Sequence, residues 1–366
     1  MKYISEYRDP VLAQNLVEAI HSISTRPVKF MEVCGTHTVA IAKHGLRRMM
    51  PENVSLLSGP GCPVCVTANR DIDRALAFAG LEDVIVTTFG DMMKVPGSRS
   101  SLTKEKAAGA DIRVVYSALD AVDLAQKKPD KNVVFLGVGF ETTAPTIAAS
   151  IVEAKRRNLK NFFVHSVHKT VPEALRALAE SGEVDLDGFI LPGHVSAIIG
   201  SQPYKFLAIR YHLPSVVSGF EPLDVLQTVY MLLRQVDSGR AEVEIQYRRG
   251  VLPEGNVVAR EMMGRVFETC DADWRAIGVI PGTGLGIRAE YADFDAVARF
   301  PVELPEPREP KGCECGKVLT GVKFPYECKL FGRACTPEAP IGPCMVSSEG
   351  SCAAYYRYQD YPEREK

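Results

Sequence analysis

Residues 28–37, VKFMEVCGTH, run from an apolar stretch, Val28–Val33, straight into Cys34-Gly35-Thr36-His37, and the amphipathic pattern Val39–Met50 follows. Residues 54–65, VSLLSGPGCPVC, repeat the arrangement: the apolar run Val54–Leu57 ends in Ser58-Gly59-Pro60-Gly61-Cys62-Pro63-Val64-Cys65, and a helical pattern, Asp71–Gly80, comes next. Further short β-branched runs lie at Val84–Thr88, Arg113–Tyr116, Val133–Gly137, Phe162–His165, Gly188–Leu191 and Ser215–Ser218, with helical stretches at Thr143–Arg156 and Glu173–Ser181 between them. Apolar runs of this length bounded by Gly or Pro read as buried strands. Their alternation with helices implies parallel sheets covered on both faces. The expected fold is α/β, with two doubly wound parallel-sheet domains around a cleft and a small Cys-rich C-terminal domain.

The pattern changes twice downstream. After Glu221 come a longer helical segment, Pro222–Val236, an alternating segment, Val243–Tyr247, and a helix around Val257–Thr269. Phe300–Lys311, FPVELPEPREPK, carries four prolines among charges and reads as a linker, beyond which Cys, Gly and Pro dominate. The expected division is residues 1–130 as an α/β domain completed by part of 221–300, residues 131–220 as a second α/β domain, and residues 301–366 as linker and Cys-rich module. A module this small usually supplements its core with metal or cross-links.

The chain has 366 residues, 43 Lys+Arg against 45 Asp+Glu, a net charge of -2 and 46% apolar residues. That is a globular composition with room for two or three domains. It has no basic excess for a nucleic-acid partner. No run approaches the ~18 apolar residues of a membrane span, and the polar N-terminal residues lack a signal-peptide core. The expected compartment is the cytoplasm, where clustered thiols more often bind metal or do redox chemistry than form structural disulfides. Ten cysteines make that reading matter: Cys34, Cys62, Cys65, Cys270, Cys313, Cys315, Cys328, Cys335, Cys344 and Cys352.

Position singles out the functional candidates. Cys34 and His37, Cys62 and Cys65, Glu141 in Gly139-Phe140-Glu141-Thr142-Thr143, His194 in Pro192-Gly193-His194-Val195-Ser196, and Glu221 after Gly219-Phe220 all follow an expected strand. In open α/β sheets ligands bind in the crevice outside those carboxyl ends, so one shared cleft is expected. Thr36, Thr142 and Ser196 are open to a capping role as well as a functional one. Cys62-Pro63-Val64-Cys65 opens an expected helix, whose dipole lowers a thiol pKa and favours metal ligation or a reversible disulfide.

Six cysteines in the tail, with no histidine among them, favour an iron–sulfur cluster, although a four-cysteine zinc knuckle stays open. In an extended Cys313-Glu314-Cys315 the two thiols point to opposite faces. Four ligands and two spare thiols then give a cluster beside a disulfide. Cys270 reads as core, and Gly282-Thr283-Gly284-Leu285-Gly286 lacks the helix and acidic residue of a dinucleotide fingerprint.

CGTH at Cys34–His37, GPGCPVC at Gly59–Cys65, GFETT at Gly139–Thr143, PGHVS at Pro192–Ser196 and the Cys-rich tail together resemble the HypD family of hydrogenase maturation factors. The resemblance runs in motif order over essentially the whole chain. It implies a scaffold for the iron centre of [NiFe]-hydrogenases, one that with a small partner, HypC, holds an iron while two cyanides and one carbon monoxide are attached. HypE, with HypF, would donate the cyanide. By the same resemblance Cys34 is the iron-binding cysteine, Cys62 and Cys65 are a redox pair also associated with iron, and His37, Glu141 and His194 line the cleft. In the tail it implies a [4Fe–4S] cluster on Cys313, Cys328, Cys335 and Cys352, with Cys315 and Cys344 as the disulfide. A freestanding cluster-dependent thiol–disulfide oxidoreductase is the alternative.

Overall fold

In a computed structural model, which describes residues 5–358, the parallel strands are β1 (Val28–Glu32), β2 (Val54–Ser58), β3 (Val84–Thr88), β4 (Ile112–Val114), β5 (Asn132–Gly137), β6 (Phe162–Ser166), β7 (Gly188–Pro192), β8 (Ser215–Ser218) and β9 (Val243–Ile245). The outer ends of the expected first and last domains, residues 1–4 and 359–366, lie outside the described residues. Two parallel sheets form, in the orders β2-β1-β7-β8-β9 and β4-β3-β5-β6. Most positions of β1, β3 and β7 are buried, as strands covered on both faces require. The helices follow from local rules. Pro10–Ile23 begins with proline after Asp9, whose carboxylate accepts from the Val11 and Leu12 N–H groups, and Pro222–Asp237 begins with proline inside a capping box of Glu221 and Asp224.

Sheet membership departs from the division expected at residue 130. β3 and β4 pair with β5 and β6, while β7 and β8 pair with β1. Alternation shows that a strand follows a helix but not which sheet it joins; the chain crosses to the second sheet after β2 and returns at β7. β9 and the helix Pro222–Asp237 belong with the first sheet.

Past Val266 the expected helix gives way to a long antiparallel hairpin, β10 (Phe267–Trp274) and β11 (Gly278–Ile287). Gly282–Gly286 therefore lies within a strand. Cys270 is exposed rather than core, because one face of this two-stranded ribbon is open.

The Cys-rich tail has a small core of its own, with Phe331, Met345, Ala353 and Tyr355, and also joins a larger one. One apolar core holds Phe189 and Leu191 of the first sheet, Val134 and Phe163 of the second, Trp274 of the hairpin, and Leu319 and Cys344 of the tail. The proline-rich linker is strapped down as well: Phe300 packs edge-on against Phe78 and Phe163, the Asn69 amide donates to the Arg308 carbonyl at 2.9 Å, and Arg275 pairs with Glu309 at 3.2 Å.

Leu319 is 1% exposed in this shared core. Leu319→Ala is expected to cost about 2–5 kcal/mol and to lower the midpoint of the main unfolding transition followed by circular dichroism in urea. A separate minor transition moving alone would contradict a common core.

Candidate functional site

β2 lies on one side of β1, and β7 with β8 on the other, so the strand order reverses between β1 and β7. That switch point is where an open α/β sheet forms its crevice. Cys34 leaves the end of β1, and Gly193-His194 leaves the end of β7. The neighbouring loops close on them: Gly35 N–H donates to the Gly61 carbonyl at 2.9 Å, and Gly59 N–H to the Glu32 carbonyl at 2.8 Å. A methyl on Gly61 would overlap the Cys34 backbone nitrogen, so only glycine admits this approach.

His37 is fully buried, and its Nε2 donates to the Gly219 carbonyl at 2.9 Å, which leaves Nδ1 a bare acceptor. Its ring stacks on Phe220 at 4.7 Å between centroids, and His194 stacks on Phe220 at 3.9 Å. Two candidate histidines are thus joined through a residue that sequence reasoning noted only as part of a loop. That loop is pinned by Asp224, which accepts from Glu221 N–H, Gln246 and Arg249, while Gln246 also accepts from Gly219 N–H. The spacing Glu221 to Asp224 carried the signal, as a capping box. Glu221 itself pairs with Arg8 at 2.6 Å and takes no place in the cluster.

Cys62 and Cys65 begin the four-residue helix Pro63–Val66, and Cys65 N–H donates to the Cys62 sulfur at 3.3 Å. Burial pushes the Cys34 thiol up to about 12, and it pushes the Cys65 thiol well up from its ordinary value, against the lowering expected there from a helix start. So short a helix has little dipole to set against full desolvation. Cys65 also hydrogen-bonds with Cys344 of the tail, whose sulfur lies 2.6 Å from that of Cys315. Cys315 in turn hydrogen-bonds with Cys313.

All six tail cysteines line one small cavity, closed by Val318, Leu330, Phe331 and Met345. Cys313 and Cys315 do not face apart as an extended segment would make them, because Cys315 opens a helical turn, Cys315–Leu319, that brings both thiols to this cavity. An enclosed apolar cavity with six thiols and no competing histidine suits an iron–sulfur cluster. Among the described residues no three His, Cys, Asp or Glu side chains converge as ligands of a single metal ion.

The tail also reaches the switch point directly. Thr36 donates to the Glu349 carboxylate at 2.8 Å, and Gly35 lies against the Glu349 backbone where a side chain would not fit. Thr36 thus ties loop to tail rather than capping its helix. Glu141, from the second sheet, is 2% exposed, accepts from Val171 N–H at 2.9 Å, and keeps a second oxygen without a partner. Glu32, unremarked in the sequence because it lies within an apolar run, is the last residue of β1, is fully buried and accepts from Thr38 at 2.5 Å and Cys34 N–H at 3.1 Å. Burial pushes both carboxyls up to about 7. No described helix is long and apolar enough to cross a membrane.

The family model described as HypD, "Hydrogenase formation hypA family", matches residues 11–359. The chain is 49% identical over 376 residues to the "Hydrogenase maturation factor HypD" of Cupriavidus necator, covering 99% of both. It is 47% identical over 374 residues to that of Rhizobium leguminosarum bv. viciae, covering 100% of this chain and 97% of the relative. It is 48% identical over 370 residues to that of Rhodobacter capsulatus, covering 98% of both.

A carboxyl whose folded pKa is raised stabilises the fold below its unfolded value, and that contribution is lost as pH rises through the folded value. For Glu32 the window runs from about 4.5 to about 7. Glu32→Gln is therefore expected to gain stability over the parent between pH 5 and pH 8 by roughly 3 kcal/mol, measured by urea unfolding at both values. A difference independent of pH would mean that Glu32 titrates as an exposed carboxyl.

Proposed function

The chain belongs to the HypD family of hydrogenase maturation proteins, and from that premise we propose that it holds an iron at Cys34, together with the partner HypC, while the Fe(CN)2CO unit is assembled. HypE, acting with HypF, brings the cyanide. The work is done in the cytoplasm. The observation that carries this reading is the placing of Cys34 at the switch point beside a line of sulfurs, from Cys62 and Cys65 through Cys344 and Cys315 to the cavity of tail thiols.

Iron is cargo here, and a soft thiolate suits low-spin iron carrying strong-field ligands. Cys34 is buried and protonated when free, so binding iron displaces its proton. The remaining ligands come from the partner, from the cyanides and carbon monoxide, and from Cys62 or Cys65 while the iron is being loaded. His37, Phe220 and His194 form the wall beside the thiol.

Cys313, Cys328, Cys335 and Cys352 hold a [4Fe–4S] cluster, which supplies electrons one at a time. Cys315 and Cys344 form the adjoining disulfide pair. As dithiol, the pair reduces an oxidised Cys62–Cys65: Cys344 attacks Cys65, Cys62 leaves as thiolate, and Cys315 resolves the mixed disulfide, so that one dithiol and one disulfide exchange states with no further oxidant. The same sulfur line would serve a freestanding oxidoreductase, but that reading leaves Cys34 and the stacked histidines without a task.

Infrared spectra of the protein purified anaerobically with its partner separate the two. Cyanide and carbonyl stretching bands are expected in the parent protein and are expected to vanish in Cys34→Ala. A cluster signal with no such bands in the parent would leave the oxidoreductase.

A further inference from the structure

Two hydroxyls near Cys34 have no partner in the fold except each other. Tyr204 and Ser196 are both 0% exposed, and neither the phenol oxygen nor the Ser196 Oγ has a hydrogen-bond partner beyond the contact they make with each other. Buried tyrosine hydroxyls normally find one, since the loss of hydration is otherwise uncompensated. The two stand side by side, Ser196 within the helix Gly193–Ile199 that leaves β7 and Tyr204 just beyond it, and the phenol is within electrostatic reach of both the Cys34 thiol and the Glu141 carboxyl. A cavity of about 700 Å³ has Ile199 and Pro203 in its wall, the near neighbours of the two hydroxyl residues, and opens onto Glu141.

Resting on the reading of Cys34 as the iron thiolate, we propose that the Tyr204 and Ser196 hydroxyls donate hydrogen bonds to the two cyanide nitrogens of the iron unit. The chemistry favours this occupant. An iron-bound cyanide carries negative charge on an exposed nitrogen and accepts hydrogen bonds well, whereas an iron-bound carbonyl oxygen accepts poorly. Two hydroxyl donors therefore match two cyanides and leave the donor-free side to the carbonyl. The pair would fix which coordination positions take cyanide, a specificity role distinct from holding the metal. The hydroxyls remain donors across the physiological pH range, so no titration is required.

Infrared spectra of the anaerobically purified complex, recorded in H2O and D2O with iron content measured alongside, test it. In the parent protein the cyanide bands are expected to move on transfer to D2O. Tyr204→Phe and Ser196→Ala are each expected to retain iron, to move one cyanide band to lower wavenumber, and to lose its D2O shift while the carbonyl band stays nearly fixed. Cyanide bands at identical positions in the parent and both variants would overturn the proposal. So would parent bands insensitive to D2O, a result that holds even if a variant fails to fold. A parent without cyanide bands would overturn the reading of Cys34 itself, and this proposal with it.

Discussion

The close approach of three backbone segments, at Cys34–Gly35, Gly59–Gly61 and the tail loop around Glu349, is the constraint on which the site depends. Gly61 touches the Cys34 backbone and Gly35 touches that of Glu349, and at neither contact is there space for a Cβ. With the loops this close, the short helix Pro63–Val66 packs against Pro343–Val346 of the tail, which sets Cys65 beside Cys344. The tail is held in place by more than sulfur. Arg47 lies over the Tyr355 ring, its guanidinium 4.7 Å from the centroid, and donates to the Leu56 carbonyl and to Ser58 at the end of β2.

Burial sets the chemistry of this site more than nearby charge does. Burial pushes the Cys34 and Cys65 thiols up and the His37 and His194 imidazoles down, His37 to about 4. A resting site of neutral groups costs less to bury than one of thiolates and imidazolium ions. Charge in such a crevice is disfavoured unless a bound group brings its counter-charge. The stack of His37, Phe220 and His194 contributes flat apolar area on one side of the crevice and leaves one imidazole partly open to solvent.

Much of this was legible in the sequence, for identifiable reasons. All eight parallel strands expected before residue 220 form within one or two residues of their expected bounds, because buried parallel strands read as continuous apolar runs between turn residues. Cys34, His37 and His194 stood out because capping and turn-making do not call for cysteine or histidine. Which sheet each strand joins was not legible, since β7 pairs with β1 across more than a hundred intervening residues and no local signal encodes that. The expected helix runs on to Thr269 because the pattern of Val257–Val266 continues into Phe267–Trp274, and tertiary pairing with Gly278–Ile287 decides the strand. Glu32 and Tyr204 were hidden by their context: one is a charged residue ending a strand, the other an ordinary aromatic before a helix, and only their complete burial marks them.

The proposed relay joins the tail and the switch point in one continuous sulfur path through Cys344. It is tested most directly by reducing the cluster with dithionite under anaerobic conditions, quenching with an alkylating reagent, and mapping labelled thiols by mass spectrometry in the parent protein and in Cys344→Ser. A working relay requires Cys62 and Cys65 to become labelled in the parent and to remain oxidised in the variant. Equal labelling of that pair in both proteins would contradict it.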